Sequence, residues 1–278
     1  MSASRWPSAP FPRRRPSALS ADGFTLVETL VAMVTGLAVM LALFAILDFS
    51  VKQTRRSGDV VLATQQGSGT LTKLLDELHS TCPAPGVTPV LEESTPSELW
   101  FDNVFGEGTE PAKTAAFKHR IFWSESEKGG TLWDWVYEAN GGSWPSYTYA
   151  TSPATGTTLL GAGKQVLGEY VTHSETESGT KEQVPFFQYY KYATKPGSIE
   201  SGKAVTTLTP ITFSSPTEKL KEVSATAAKE VAAVVVTFRT SPYDKETKLG
   251  QAADFSGQAT FAFSTPAAES TVSDGPCQ

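Results

Sequence analysis

Two hydrophobic patterns divide the chain. From Phe24 to Leu47 the side chains are apolar with one charged exception, Glu28. At ~1.5 Å rise per residue this run makes a helix of ~36 Å, enough to cross a hydrocarbon core of ~30 Å. It predicts a transmembrane segment over about 24–47. From Asp48 the pattern turns amphipathic. Leu71, Leu74, Leu75 and Leu78 fall at i, i+3, i+4 and i+7, one face of a helix. The two stretches together predict a single long helix within 24–81, whose second half lays its leucines on a globular domain. Gly58, Gly67 and Gly69 each cost roughly 1 kcal/mol relative to alanine, so a bend or fraying is expected in the middle. Cys82-Pro83-Ala84-Pro85-Gly86 ends the helix, because proline lacks the amide donor and clashes with the preceding turn.

Beyond Pro89 the period changes to that of strands. Glu98 to Phe101 and Phe117 to Trp123 are short aromatic-rich runs, and Trp133, Trp135 and Tyr137 alternate with Asp134 and Glu138. The turn-rich stretch between them predicts a hairpin of 117–123 with 131–138. Glycines and prolines punctuate 139–165, which reads as a loop. Further strands are expected at 165–173, 184–193, 204–213, 231–238 and 258–264. In the second of these, aromatic side chains on both faces suggest packing on both sides. The nearly continuous apolar run Val231 to Phe238 suggests a central buried strand. Residues 216–230 fit either a short surface helix or an extended loop. A long helix followed by antiparallel strands is an α+β order. The expected organisation is a segment 1–23, a helical segment 24–81 and a β-rich domain 82–278.

Charge and cysteines refine this picture. The chain of 278 residues carries a formal net charge of −6; residues 1–23 hold four Arg and one Asp, so the remainder stands at −9. An acidic surface disfavours non-specific contact with nucleic acid, where phosphates call for Lys and Arg. Cys82 and Cys277 bracket the globular region. Outside the cell they could form a disulfide worth roughly 4–5 kcal/mol in the chain-entropy model; in a reduced compartment they would be free thiols. The bridge is the favoured expectation, because Cys277 sits in a polar tail with no core to join.

Glu28 needs a partner, since a carboxylate costs ~2.5–3.5 kcal/mol at a bilayer centre and less towards the headgroups. Cleavage after Gly23 would place a new α-amino group on Phe24, four residues before Glu28. Gly23-Phe24-Thr25-Leu26-Val27-Glu28, followed by some twenty apolar residues behind the basic Arg13-Arg14-Arg15, resembles the processing site of type IV prepilins and type II secretion pseudopilins. The resemblance covers about residues 22–48. It implies cleavage after Gly23 by a membrane aspartyl prepilin peptidase, N-methylation of Phe24, and Glu28 as the residue that pairs with a neighbouring subunit's N-terminus during assembly. It implies a pilin-like fold, with the helix on an antiparallel sheet. Implied partners are other pilin or pseudopilin subunits, the prepilin peptidase, an inner-membrane assembly platform, and membrane lipid before assembly. The location implied is the cytoplasmic membrane with the C-terminal domain outside the cytoplasm, then a surface or periplasmic filament. Size and the tryptophan-rich middle are most similar to J-type pseudopilins or W-type minor pilins. Two departures are a leader of 23 residues and the absence of the proline that often kinks the pilin helix.

No catalytic pattern accompanies these features. His79, His119 and His173 lie far apart with no metal-ligand spacing, and Cys82 and Cys277 form no CxxC pair. Around Gly161-Ala162-Gly163-Lys164-Gln165 a phosphate loop fails, because Thr158 stands where a glycine is needed and Gln165 where Ser or Thr is needed. There is no GxSxG elbow. The reading is a non-enzymatic structural subunit without a cofactor or metal. Its rival is a single-pass, membrane-tethered binding or adhesion domain that does not polymerise, using Trp123, Trp133, Trp135 and Trp144 as an aromatic face.

Overall fold

The structure is a computed structural model. It describes residues 25–81, 88–105, 115–126, 129–143, 146–155, 157–158, 161–175, 183–193, 199–200, 203–204, 207–242 and 252–261. Gly23, Phe24, Cys82 and Cys277 fall outside these residues, as do Trp144 and Phe263, so the cleavage site and the expected disulfide lie outside the described residues.

The long helix forms as expected, over Leu26–His79 (α1). It is helical throughout Gly58, Gly67 and Gly69, so the expected fraying is not there. The chain divides into two compact units, Met1–Thr54 and Arg55–Gln278. In the first unit the described residues are the apolar half of α1, and every one of them is exposed. Leu26, Met33, Leu37, Phe44 and Phe49 are between 62% and 82% exposed. This helix is long and apolar enough to cross a membrane, with a mean hydropathy of 2.7 in its most apolar window. Such a surface suits lipid or other apolar helices and not water, because exposed apolar area carries a cost of ~25 cal/mol per Å².

The second unit is an antiparallel sheet covered by the rest of α1. Nine strands join it among the described residues. They are β1 (Glu98–Phe105), β2 (Ala115–Ser126), β3 (Gly129–Ser143), β4 (Ser146–Tyr149), β5 (Lys164–Thr172), β6 (Phe187–Tyr192), β7 (Leu208–Pro210), β8 (Val231–Thr240) and β9 (Ala253–Thr260). The order across the sheet is β1-β2-β3-β5-β8-β6-β7, with β4 added on β3 and β9 on β8. Two-residue ribbons pair 157–158 with 161–162 and 199–200 with 203–204. An α+β architecture with a long N-terminal helix on an antiparallel sheet is therefore observed.

The predicted leucine face is the seam between helix and sheet. Leu74 and Leu78 are fully buried, and Leu71 and Leu75 pack at the edge of the same core. At two places the helix and sheet approach so closely that only glycine fits. A methyl on Gly67 would run into the ring of Phe255 on β9, and one on Gly168 of β5 into Thr70. Gly67 therefore allows contact where the sequence suggested weakness. Farther along, the hydroxyl of Thr240 on β8 donates to the carbonyl of Ala63 at 2.8 Å, both buried.

The β2–β3 hairpin is in the expected place, with Phe117 opposite Glu138 and Trp123 opposite Leu132. The central strand β8 buries Val231, Val234, Val236 and Phe238 completely. Four expectations need correction. The supposed loop 139–165 contains the end of β3 and all of β4. On β6, Phe187 and Tyr189 are buried but Gln188 and Tyr190 only half-buried, so one face dominates. Among the described residues of the 204–213 stretch, Leu208–Pro210 alone join the main sheet. The last strand begins at Ala253, and Phe261 lies just past its end in the core. The open alternative at 216–230 resolves as two helical turns, α2 (Leu220–Val223) and α3 (Ala227–Glu230), anchored by buried Leu220, Ala227 and Ala228.

Candidate functional site

Two features carry chemistry, one at each end of α1. At the start, Thr25 precedes the first helical residue and its hydroxyl accepts the backbone N–H of Glu28 at 3.3 Å. Thr25-Leu26-Val27-Glu28 has the spacing of a capping box, in which the threonine satisfies one orphan amide of the first turn. A carboxylate there also faces the positive end of the helix dipole, a favourable placement of roughly 0.3–1 kcal/mol. The cap bond runs through the backbone of Glu28, and its carboxylate, the group for which an assembly role is expected, contributes by its place near the helix start. Its side chain is exposed, and among the described residues no cation pairs with its carboxylate.

At the other end of the helix lies a buried polar cluster that the sequence did not announce. Glu77 comes from the last turn of α1, Asn103 from β1, His119 from β2 and Asp134 from β3. Antiparallel pairing sets Phe101 opposite His119 and Ile121 opposite Asp134, so strand alternation turns these side chains toward the helix. His119 and Asp134 are 1% and 0% exposed, and Asn103 is fully buried. His119 Nδ1 stands 3.0 Å from Asp134 Oδ2 and 3.2 Å from Oδ1. The imidazole stacks flat on Phe101, with centroids 4.9 Å apart and planes at 6°. Asn103 Nδ2 donates to Ser80 Oγ at 2.8 Å and lies 3.4 Å from His119 Nε2.

The electrostatics of the cluster oppose burial to pairing. Burial works against the charged imidazole, but the hydrogen bond and charge of Asp134, with Glu77 and Asp102 nearby, outweigh it and raise the pKa of His119. Burial raises Glu77, and Asp134 and Asp76 add to this against the pull of His119. One residue before Asn103, on the opposite face of the sheet, burial pushes Asp102 up to about 6 against the pull of Tyr149 and Lys118. Donor atoms of Glu77, His119 and Asp134 lie within 4.8 Å of one another, a set able to hold a metal ion. Residue types and spacing alone could not flag it, because its members come from one helix and two strands.

The tryptophans do not form a single face. Trp123 turns toward the core, stacking on Phe186 with centroids 5.7 Å apart and donating from Nε1 to the carbonyl of Val171 at 2.8 Å. Trp133 and Trp135 point to the opposite side. There Arg120 lies over Trp100, Phe122 and Trp135 at 4.6–5.6 Å from the ring centroids, and makes a two-pronged pair with Glu98 at 2.7 and 3.1 Å. Lys164 stands 4.5 Å from the centroid of Trp135. The rings of Trp100, Phe122 and Trp135 are thus already met by the chain's own cations.

Compared with protein-family models, with curated proteins and with solved structures, the chain matches none.

Proposed function

We propose that this protein is a structural subunit of a type IV pilus-like or type II secretion filament, made as a precursor and cleaved after Gly23. The observation that carries the reading is the first half of α1. From Leu26 to Leu47 it is a wholly exposed apolar helix with one carboxylate, Glu28, in its first turn, behind the Gly23-Phe24 junction. A surface of that kind needs lipid before assembly and neighbouring helices after it. The carboxylate needs a cation that among the described residues the fold does not supply, and the α-amine of a processed Phe24 on a neighbour has the right charge. Mechanistically, apolar helices pack in the filament centre while Glu28 aligns each helix against the next N-terminus. The sheet domain is then carried on the outside, where it makes lateral contacts or caps the tip, as in a minor pilin or pseudopilin. Nothing in this role requires an active site.

Intact mass and N-terminal peptide mass spectrometry of the protein from its native membrane test this directly. The expected result is a chain beginning at Phe24 and bearing one extra methyl group. A mature chain still beginning at Met1 would remove the basis of the proposal and leave a tethered binding domain as the better account.

A further inference from the structure

The cluster at the C-terminal end of α1 holds two carboxylates and one imidazole in an enclosed space. With a neutral ring the set carries two negative charges, and an imidazolium proton cancels only one of them. Buried charges persist when they are paired or bound to a metal. A dication balances both carboxylates and leaves the ring neutral, the form in which imidazole is a ligand. The donor atoms of Glu77, His119 and Asp134 already lie within 4.8 Å of one another, so modest side-chain rotation of the half-buried Glu77 brings them to one centre.

A second, independent observation comes from Asn103. This side chain is fully buried, its Nδ2 abuts His119 Nε2 at 3.4 Å, and its Oδ1 has no hydrogen-bond partner. Buried polar side-chain atoms generally find a partner, so an orphan amide oxygen on the side chain that abuts the imidazole marks an unmet polar demand beside the cluster. A half-turn of the amide presents Oδ1 to the same centre and gives up the Nδ2 bond to Ser80 Oγ, whose own proton goes to the Glu77 carbonyl at 2.6 Å.

We propose that Glu77, His119 and Asp134, with Asn103 Oδ1 beside them, form a site for one small divalent transition-metal ion of the Zn²⁺ or Mn²⁺ class. One nitrogen and several oxygens, with no thiolate, suit such ions. The imidazole argues against Ca²⁺ and Mg²⁺, which prefer all-oxygen sets. The enclosure of His119 and Asp134 points to a structural ion, held without an open position for substrate. It would clamp the last turn of α1 to β1, β2 and β3, joining the helix to strands far away in sequence. The proposal stands apart from the filament reading and survives its failure.

The full-length chain in detergent, stripped with a chelator and dialysed against Zn²⁺, is expected to retain one zinc per molecule by elemental analysis. Its melting temperature should rise with free Zn²⁺, as for any ligand that binds only the folded state. Glu77→Gln, a near-isosteric change at a half-buried position, should weaken binding at least tenfold. In the wild-type chain the ring resonances of His119 should shift with Zn²⁺ and broaden with Mn²⁺. Absence of stoichiometric binding of either ion overturns the site, as does unchanged affinity in Glu77→Gln. Should that variant fail to fold, unaltered His119 resonances in the zinc-bound wild type overturn it equally. Equal stabilisation by Ca²⁺ overturns the class of ion.

Discussion

Two glutamates on one helix differ in where their partners are found. Glu28, in the first turn of α1, is exposed within an apolar segment, and among the described residues no cation reaches its carboxylate. Glu77, in the last turn, is drawn into a buried group with His119 and Asp134 that belongs to the fold itself. In the sequence both are acidic residues near the ends of one helix, and Glu28 alone stands out, as the single charge in an apolar run. The structure separates them: one charge is left for something outside the chain, the other is absorbed inside. Loss of the first should therefore appear in assembly and loss of the second in the domain.

The largest expected effect follows from Glu28. Its capping-box spacing after Thr25 offers a competing account, in which the side chain merely finishes the helix start. Glu28→Gln separates the two, because glutamine keeps the cap spacing and removes the charge. If charge pairing to a neighbour's amine is its role, the variant should be cleaved normally yet almost entirely excluded from filaments, as seen by blotting sheared filament and membrane fractions. Normal incorporation of Glu28→Gln would reduce the residue to a helix cap. Glu77→Gln should do the reverse, leaving incorporation intact and altering only ion binding.

A second effect compares the two halves of α1 through their glycines. A methyl at Gly36 meets nothing within 4 Å, whereas one at Gly67 collides with Phe255. Gly67→Ala should lower the stability of the sheet domain by about 1–3 kcal/mol through overpacking, offset in part by alanine's better helix propensity. Gly36→Ala should leave domain stability unchanged. Chemical denaturation followed by tryptophan fluorescence reads both, and equal values for the two would mean that the helix–sheet seam is looser than drawn.

How much of this was legible in the sequence depended on whether the signal was local. The apolar run and the leucine face are periodic within one element, and both landed where periodicity placed them. The β2–β3 hairpin announced itself by alternating aromatics around a turn, and β8 by its nearly continuous apolar run. By contrast, β9 escaped until Gln258. Its first half, Ala253-Asp254-Phe255-Ser256-Gly257, is weakly apolar, and Gly257 is placed where a side chain would meet Leu71 and Leu75 of the helix. Gly67 was misread, since the value of a missing side chain depends on what lies opposite. The Glu77–His119–Asp134 group had no sequence signature, because only strand register and helix docking bring its members together.

Asp102 offers a middle case, a carboxylate buried on the outward face with Lys118 opposite it. Burial lifts its pKa from the usual 3.8 to about 6, so the folded state holds its proton more tightly than the unfolded one. The sign follows from linkage: the associated stability is complete below about pH 4 and is lost as pH rises through about 6. Asp102→Asn should thus stabilise the domain at pH 7, by about 1 kcal/mol after allowance for partial solvent access, and have no such effect at pH 4. A gain that is the same at both pH values would show that Asp102 is not held in this way.

The smallest effect belongs to a carboxylate that is both partnered and wet. Asp254 opens β9 and receives two hydrogen bonds from Arg239, at 2.8 and 2.9 Å, and a third from Ser174 at 2.9 Å. These bonds, with Arg239 foremost, hold its pKa below the usual carboxylate value against the pull of burial. Here the sign is opposite to that of Asp102. The stability is present above about pH 4 and is lost as pH falls through the lowered folded-state value. Because the side chain is 52% exposed, solvent screens the pair, and Asp254→Asn should cost only ~0.2–1 kcal/mol at pH 7. Raising the salt concentration should shrink that cost, whereas it should leave the Gly67→Ala penalty, which is steric, where it was. A cost at Asp254 that resists salt would mean that the carboxylate acts by tying β9 to Ser174, and not by its charge.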